Sequence, residues 1–258
     1  MKILRTGFFK GAWRHISSVP RLIFSVRRWP FLLADCMGLR RRPYVLRTSR
    51  GACCELRPGT SDWWIFLEIF VFGIYARVQN DIRRAKVIVD VGANVGFFAI
   101  YASAINPDAQ IHSFEPLPDN LTQLKRNLLL NVSRCIHSHP QAVSDKTGVT
   151  TLYFTPGDDS GCSLSSPQGH SCSVQAIGVN EIFQLCGIER CDLLKMDCEG
   201  SELPILLALS PDALARIGSI IMEYHVPSEV DAILGILSHS GFQCEILGDI
   251  RTLYACRN

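Results

Sequence analysis

Apolar positions along this chain switch between two periods. Short runs rich in β-branched and aliphatic residues fall near 86–91, 110–115, 136–143, 191–197, 217–224, 242–247 and 251–256, the pattern of strands covered on both faces. Helical spacing occupies 95–105, 118–130, 179–186, 201–209 and 227–240. Strands alternating with helices predict a mostly parallel, seven-stranded sheet in a doubly wound α/β fold. Upstream, 44–48 and 52–56 read as a hairpin around Ser49-Arg50-Gly51, and Asp62 is placed to cap a helix from 63 to about 72. Further on, 144–154 reads as an inserted hairpin and 155–173 as a long loop rich in Gly, Ser and Asp. The expected organisation is a basic arm over 1–42, a small β and helical lid over 43–80, and an α/β domain over 81–258 with an insertion at 144–173.

Charge sharpens the division. The 258 residues carry a formal net charge of only +2, yet residues 1–50 hold twelve Lys/Arg against one acid, Asp35, while 51–258 hold fourteen Lys/Arg against twenty-three acids. The arm mixes Trp13, Phe24, Trp29 and Phe31 with arginines, which suits peripheral contact with an anionic membrane surface and equally suits helices covering the main domain. Pro20 and Pro30 preclude one long helix there. No run of eighteen apolar residues marks a membrane span, and the first residues lack the apolar core and cleavage site of a signal peptide. The eleven cysteines form no CxxC pair, no zinc spacing and no disulfide framework, so reduced thiols in a cytoplasmic setting are expected. No specific nucleic-acid partner is expected.

The candidate chemistry begins at Asp90-Val91-Gly92-Ala93-Asn94-Val95-Gly96, a strand end, a glycine loop and a helix start. It is not a dinucleotide fingerprint. That motif needs glycine where Asn94 and Phe97 stand, to admit a pyrophosphate and to pack helix on strand. A nucleoside cofactor with a small zwitterionic tail, S-adenosylmethionine (SAM), fits better than NAD. Glu115, nineteen residues after Gly96, ends the next strand at the spacing of a ribose-binding acid and is followed by Pro116. Asp90 is expected to tie down the loop or hold the methionine ammonium, Asn94 to bond the loop or the methionine carboxylate, and Ala142 and Val143 to flank the adenine. Asp197, Glu199 and Glu202 concentrate charge at a later strand-to-helix junction, where Glu202 suits a helix start and Cys198 a small buried hydrophobe. The three acids offer oxygens enough for a divalent cation, but no metal is expected. Asp197 would bind the methionine ammonium or orient the acceptor. His225 follows the fifth strand, with Glu223 as a conceivable orienting partner, and is a candidate general base.

Asp90 to Gly96, Phe114-Glu115-Pro116 and the segment from Leu193 to Glu202, taken together and in order, resemble the FkbM family of SAM-dependent methyltransferases, over about residue 44 to the C-terminus. The resemblance implies a class I Rossmann-like fold, SAM as cofactor, and methyl transfer to a hydroxyl of a sugar or small molecule. The family's acid after Tyr75 is replaced here by Ala76, so no contact is carried over from it. The rival expectations are a non-catalytic SAM-binding adaptor held at a membrane by residues 1–42 and, more weakly, a dehydrogenase.

Overall fold

Pro20 and Pro30 each fall in the first turn of a short helix, Val19–Ser25 and Trp29–Cys36, where a missing N–H costs nothing. Between the helices, strand β1 (Val26–Arg27) pairs antiparallel with β2 (Tyr44–Thr48), which pairs with β3 (Cys53–Leu56). The computed structural model describes residues 19–131, 135–155, 158–164, 170–247 and 251–257; the start of the arm, with Trp13 and Arg14, lies outside them. Helix Asp62–Leu67 runs on into a π-helical turn, Glu68–Phe72, that ends at the left-handed Gly73. Asp62 does not cap this helix. It is the first helical residue, and its buried carboxylate accepts the Arg57 N–H and pairs with the Arg57 guanidinium at 2.8 Å.

The main sheet contains seven strands: β4 (Val87–Val91), β5 (Gln110–Phe114), β6 (Ile136–His139), β11 (Cys191–Met196), β12 (Ile217–Glu223), β13 (Gln243–Leu247) and β14 (Thr252–Cys256). Their order is β13-β14-β12-β11-β4-β5-β6. All neighbours are parallel except those involving β14. The chain order reverses between β4 and β11, and a crevice opens there at the carboxyl ends of the strands. This is a doubly wound α/β arrangement.

The apolar runs of the central strands are explained by burial on both faces. Ile88, Phe97, Ile100 and Ile111 join one core with Leu22, Val26, Leu46, Leu56 and Phe66, so the arm, hairpin and sheet share a single hydrophobic interior. Val89, Val91, Phe114, Leu194, Met196, Leu206 and Ile220 form the core of the opposite face. Two asparagines of helix Pro118–Leu130 and its end stitch the hairpin on. Asn127 accepts the Glu55 N–H and donates to the Val95 carbonyl, and Asn131 accepts the Cys53 N–H and donates to the Cys53 carbonyl.

Three further expectations need correction. The run 136–143 is not one strand. Pro140 removes a donor, and the chain leaves β6 to begin β7 (Ala142–Ser144) in a second sheet. The stretch 155–173 is not simply a loop. Strands β8 (Gly148–Thr155), β9 (Asp158–Ser163) and β10 (His170–Gly178) form a four-stranded sheet with β7, in the order β7-β10-β8-β9, so 144–154 is not a hairpin either: β10 lies between β7 and β8. The Ser and Gly content masked an alternating pattern at Cys172, Val174 and Ala176, and long-range pairing supplied the hydrogen bonds.

Candidate active site

A cavity of about 290 Å³ occupies the crevice. Its floor is the loop after β4, one wall comes from Phe114, Glu115, Pro116, Ala142 and Val143, and the opposite end holds Lys195, Asp197, Glu199, Glu223 and His225. Trp64, Glu68 and Tyr75 from the 43–80 segment and Leu152 and Leu164 from the insertion complete the lining.

The loop is shaped by contact between strands. Gly92 has φ +73°, and a Cβ there would meet the Asp197 carbonyl oxygen at 1.9 Å. Glycine is thus required for the ends of β4 and β11 to meet. Gly96 also has a positive φ, and a Cβ would press on Leu124 at 3.0 Å. Gly96 and Asp90 stand behind the cavity wall rather than in it. Asp90 is fully buried and pairs with Lys195 at 3.3 Å, while Ser113 donates to its other oxygen. Lys195 also donates to the carbonyls of Val91 and Gly92 and lies 3.6 Å from Asp197. Burial opposes the Lys195 charge, but Asp90 and Asp197 overcome it and hold the ammonium above its ordinary pKa. Reading the sequence assigned this lysine no role. Its signal was a lysine inside an apolar strand, and its partner Asp90 lies directly opposite in register.

Glu115 is buried, and its two oxygens accept the N–H groups of Asn94 and Leu117, both at 2.8 Å. Burial pushes its pKa up to about 7, against those bonds. Each oxygen keeps a second lone pair. Asn94 adopts φ +50°, and its buried Oδ1 has no hydrogen-bond partner among the described residues. An orphaned acceptor in the cavity lining suits a ligand that brings an N–H donor.

The far end is crowded with acid. After β11, Glu199 and Gly200 both take positive φ and turn the chain sharply. Glu202 accepts the N–H groups of Cys198 and Gly200, as a helix-start acid should, and also bonds His225 Nδ1 at 2.9 Å. Glu202, not Glu223, is therefore the orienting partner of His225. His225 Nε2 lies 3.4 Å from Glu199 and 3.7 Å from Asp197. Burial alone would lower the His225 pKa, but the bond to Glu202 and the charges of Glu199 and Asp197 raise it to about 9. That shift favours the imidazolium over the free imidazole at neutral pH. Burial raises Glu199 to about 8, and burial with neighbouring acids raises Glu68 and Glu223 to about 7. Burial also keeps Cys198 a thiol, far above its ordinary pKa. Glu202 is engaged away from the cavity, so the cation set considered from sequence is not assembled; Asp197, Glu223 and His225 are the closer trio, within 4.8 Å.

SAM fits these residues. It carries two cations, a sulfonium and an ammonium, into a site with a surplus of carboxylates, and it needs no phosphate-binding glycine. Replacing Lys195 with Met should cost about 3–5 kcal/mol in denaturant unfolding, because Asp90 would stay buried without its counter-charge. Asp90→Asn in the same protein should restore part of that. Parental stability in Lys195→Met would mean that Asp90 is held in another way.

Comparison with known proteins identifies the family. The family model described as "Methyltransferase FkbM domain" matches residues 90–244. The 31-O-demethyl-FK506 methyltransferase FkbM of Streptomyces tacrolimicus is 27% identical over 74% of this chain and 84% of its own length. The hexuronic acid methyltransferase AglP of Haloferax volcanii is 26% identical over 89% of this chain and 92% of its own. The AMB antimetabolite synthetase AmbE of Pseudomonas aeruginosa is 25% identical over 72% of this chain, which spans only 11% of that much longer protein. With more than half of its length matched by the family model, the chain belongs to the FkbM family of SAM-dependent methyltransferases.

Proposed function

We propose that this protein transfers the SAM methyl group to a hydroxyl oxygen of a sugar or small molecule. The observation that carries this reading is the cluster of Asp197, Glu199, Glu223 and His225 at the end of the cavity opposite Glu115. Those groups can take up the proton that a hydroxyl must lose. The names of FkbM and AglP, a demethyl-FK506 and a hexuronic acid methyltransferase, agree with an oxygenated acceptor. The acids favour a neutral or cationic acceptor over an anionic one.

When bound, SAM supplies a methyl group already activated by its sulfonium. The remaining work is alignment, water exclusion and proton transfer. Glu115 would hold the ribose hydroxyls with its two free lone pairs, Asn94 the methionine end, and Ala142 and Val143 the base. Lys195 fixes the loop beneath them. Glu199, with a pKa near the working pH, is the better proton acceptor. His225 positions it and supplies a neighbouring positive charge.

Binding should be pH-dependent. Glu68, Glu199 and Glu223 are raised in the ligand-free protein, so folding favours their neutral forms. That stability is present below the unfolded carboxylate pKa and is lost as pH rises through about 7–8. A cationic ligand requires the charged forms. SAM affinity should therefore climb from about pH 6 to about pH 9, with proton release measured by calorimetry in buffers of differing ionisation heat. Affinity independent of pH would remove these acids from the site.

Methyl transfer should likewise rise with pH. His225→Gln removes a positive neighbour of Glu199, so it should slow transfer and move the rising limb to higher pH. If His225 is itself the base, that limb disappears instead. An unmoved profile would reject both roles.

The arm would bring the enzyme to an anionic membrane surface. Leu22, Val26 and Leu32 anchor it in the core, while Phe24 (83% exposed), Met37 (64%) and Leu39 (69%) face solvent beside exposed Arg21, Arg27, Arg28, Arg41 and Arg42. Among the described residues no helix is long and apolar enough to cross a membrane. The full chain should co-sediment with phosphatidylserine-containing vesicles but not with pure phosphatidylcholine ones, and Phe24→Ser with Arg41→Glu and Arg42→Glu should abolish this. Equal sedimentation of parent and variant would exclude the arm as the contact.

A further inference from the structure

A second cluster of metal-ligating side chains lies on the sheet away from the acids. His112 of β5, His139 of β6 and Cys186, the last residue of helix Ile182–Cys186, come together although the sequence shows no metal spacing. One ring nitrogen from each histidine and the Cys186 sulfur all lie within 4.8 Å of one another. His112 Nδ1 is 3.0 Å from His139 Nε2, and Cys186 Sγ is 4.0 Å from that same nitrogen. His112 is only 3% exposed, and its Nε2 has no hydrogen-bond partner among the described residues. A hydrogen-bonded histidine pair accounts for the 3.0 Å contact between the rings, and the Cys186 sulfur completes a set of three donors around one His139 nitrogen.

We propose that His112, His139 and Cys186 bind a zinc-type divalent cation. Two imidazole nitrogens and a thiolate are the donors of a tetrahedral zinc site, whereas magnesium and calcium take oxygen. With metal–nitrogen bonds of about 2.0–2.1 Å and a metal–sulfur bond of about 2.3 Å, tetrahedral donors stand about 3.3–3.7 Å apart. The observed 3.0 and 4.0 Å bracket that range, so small side-chain rotations suffice. The fourth position would be taken by water or by exposed His137, whose ring stacks on His112 at 5.1 Å. The thiol loses its proton as the metal–sulfur bond forms, so one proton is released for each cation bound.

The position gives the site a consequence. The His139 carbonyl accepts the Glu115 N–H at 3.1 Å, and three residues further on Ala142 begins the wall of the cavity. A cation joining β5, β6 and the Ile182–Cys186 helix would brace the wall that carries Glu115, Ala142 and Val143, independently of which acceptor is methylated.

Titration of the full chain with cobalt(II) tests this directly. One equivalent should produce a thiolate-to-cobalt charge-transfer band and the strong visible absorption of four-coordinate cobalt, both displaced by zinc. Cys186→Ser should remove the charge-transfer band and weaken zinc binding by about tenfold or more. His139→Gln should weaken it comparably, with unchanged far-ultraviolet circular dichroism confirming that the variants fold. Zinc should raise the melting temperature of the parent but not of Cys186→Ser. Three results would overturn the proposal: no charge-transfer band in the parent, a band that persists in Cys186→Ser, or binding lost in Glu223→Gln but kept in Cys186→Ser, which would put the metal among the acids of the main cavity.

Discussion

The structure turns on one buried ammonium. Lys195 sits where the chain order of the sheet reverses, between the carboxylates of Asp90 and Asp197 and the carbonyls of Val91 and Gly92. A charge this deep is costly unless it is surrounded by partners. Here the partners are the ends of the two central strands. Satisfying the lysine therefore fixes how β4 and β11 leave the sheet, and this in turn leaves no room for a side chain at Gly92. The loop beyond Gly92 carries Asn94, whose N–H meets Glu115. One electrostatic requirement thus aligns the ends of three strands.

The opposite end of the cavity follows a different principle. Asp197, Glu199, Glu202 and Glu223 crowd around a single imidazolium, and several are held near their neutral forms at neutral pH. A bound cation would stabilise the charged forms of these acids. An environment that favours positive charge suits the sulfonium donor, and a carboxylate poised near the working pH suits removal of a hydroxyl proton. Binding and chemistry then draw on the same surplus of acid.

Much of this was legible in the sequence, for reasons that particular residues make plain. The central strands of the main sheet announced themselves because both faces are buried, as Ile88 and Val89 show by entering opposite cores, whereas the edge strands β6 and β13 are partly exposed. Residues at strand ends, from Gly92 to Glu115 and from Asp197 to His225, could be gathered into one crevice by topology alone. What local pattern could not show was set by pairing across the chain. The sheet formed by β7 to β10 hides behind Ser and Gly. Asp62 serves Arg57, not its own helix. Lys195 has a role only once Asp90 is known to lie opposite it, and the protonation of His225 is set by three acids from another loop. Glu68 also escaped notice, because a π-helical turn interrupts the helix that presents it to the cavity.

The proposed SAM site is the cavity between Glu115 and the acids of the β11 loop, with the nucleoside at the Glu115 end. The most direct measurement is a crystal structure with S-adenosylhomocysteine bound. Such a structure should show ribose hydroxyls on the Glu115 carboxylate, the base against Ala142 and Val143, and the amino-acid tail over Gly92 to Asn94 with its sulfur turned toward Asp197 and Glu199. A nucleoside bound elsewhere, or reversed so that the base meets the acids, would contradict it.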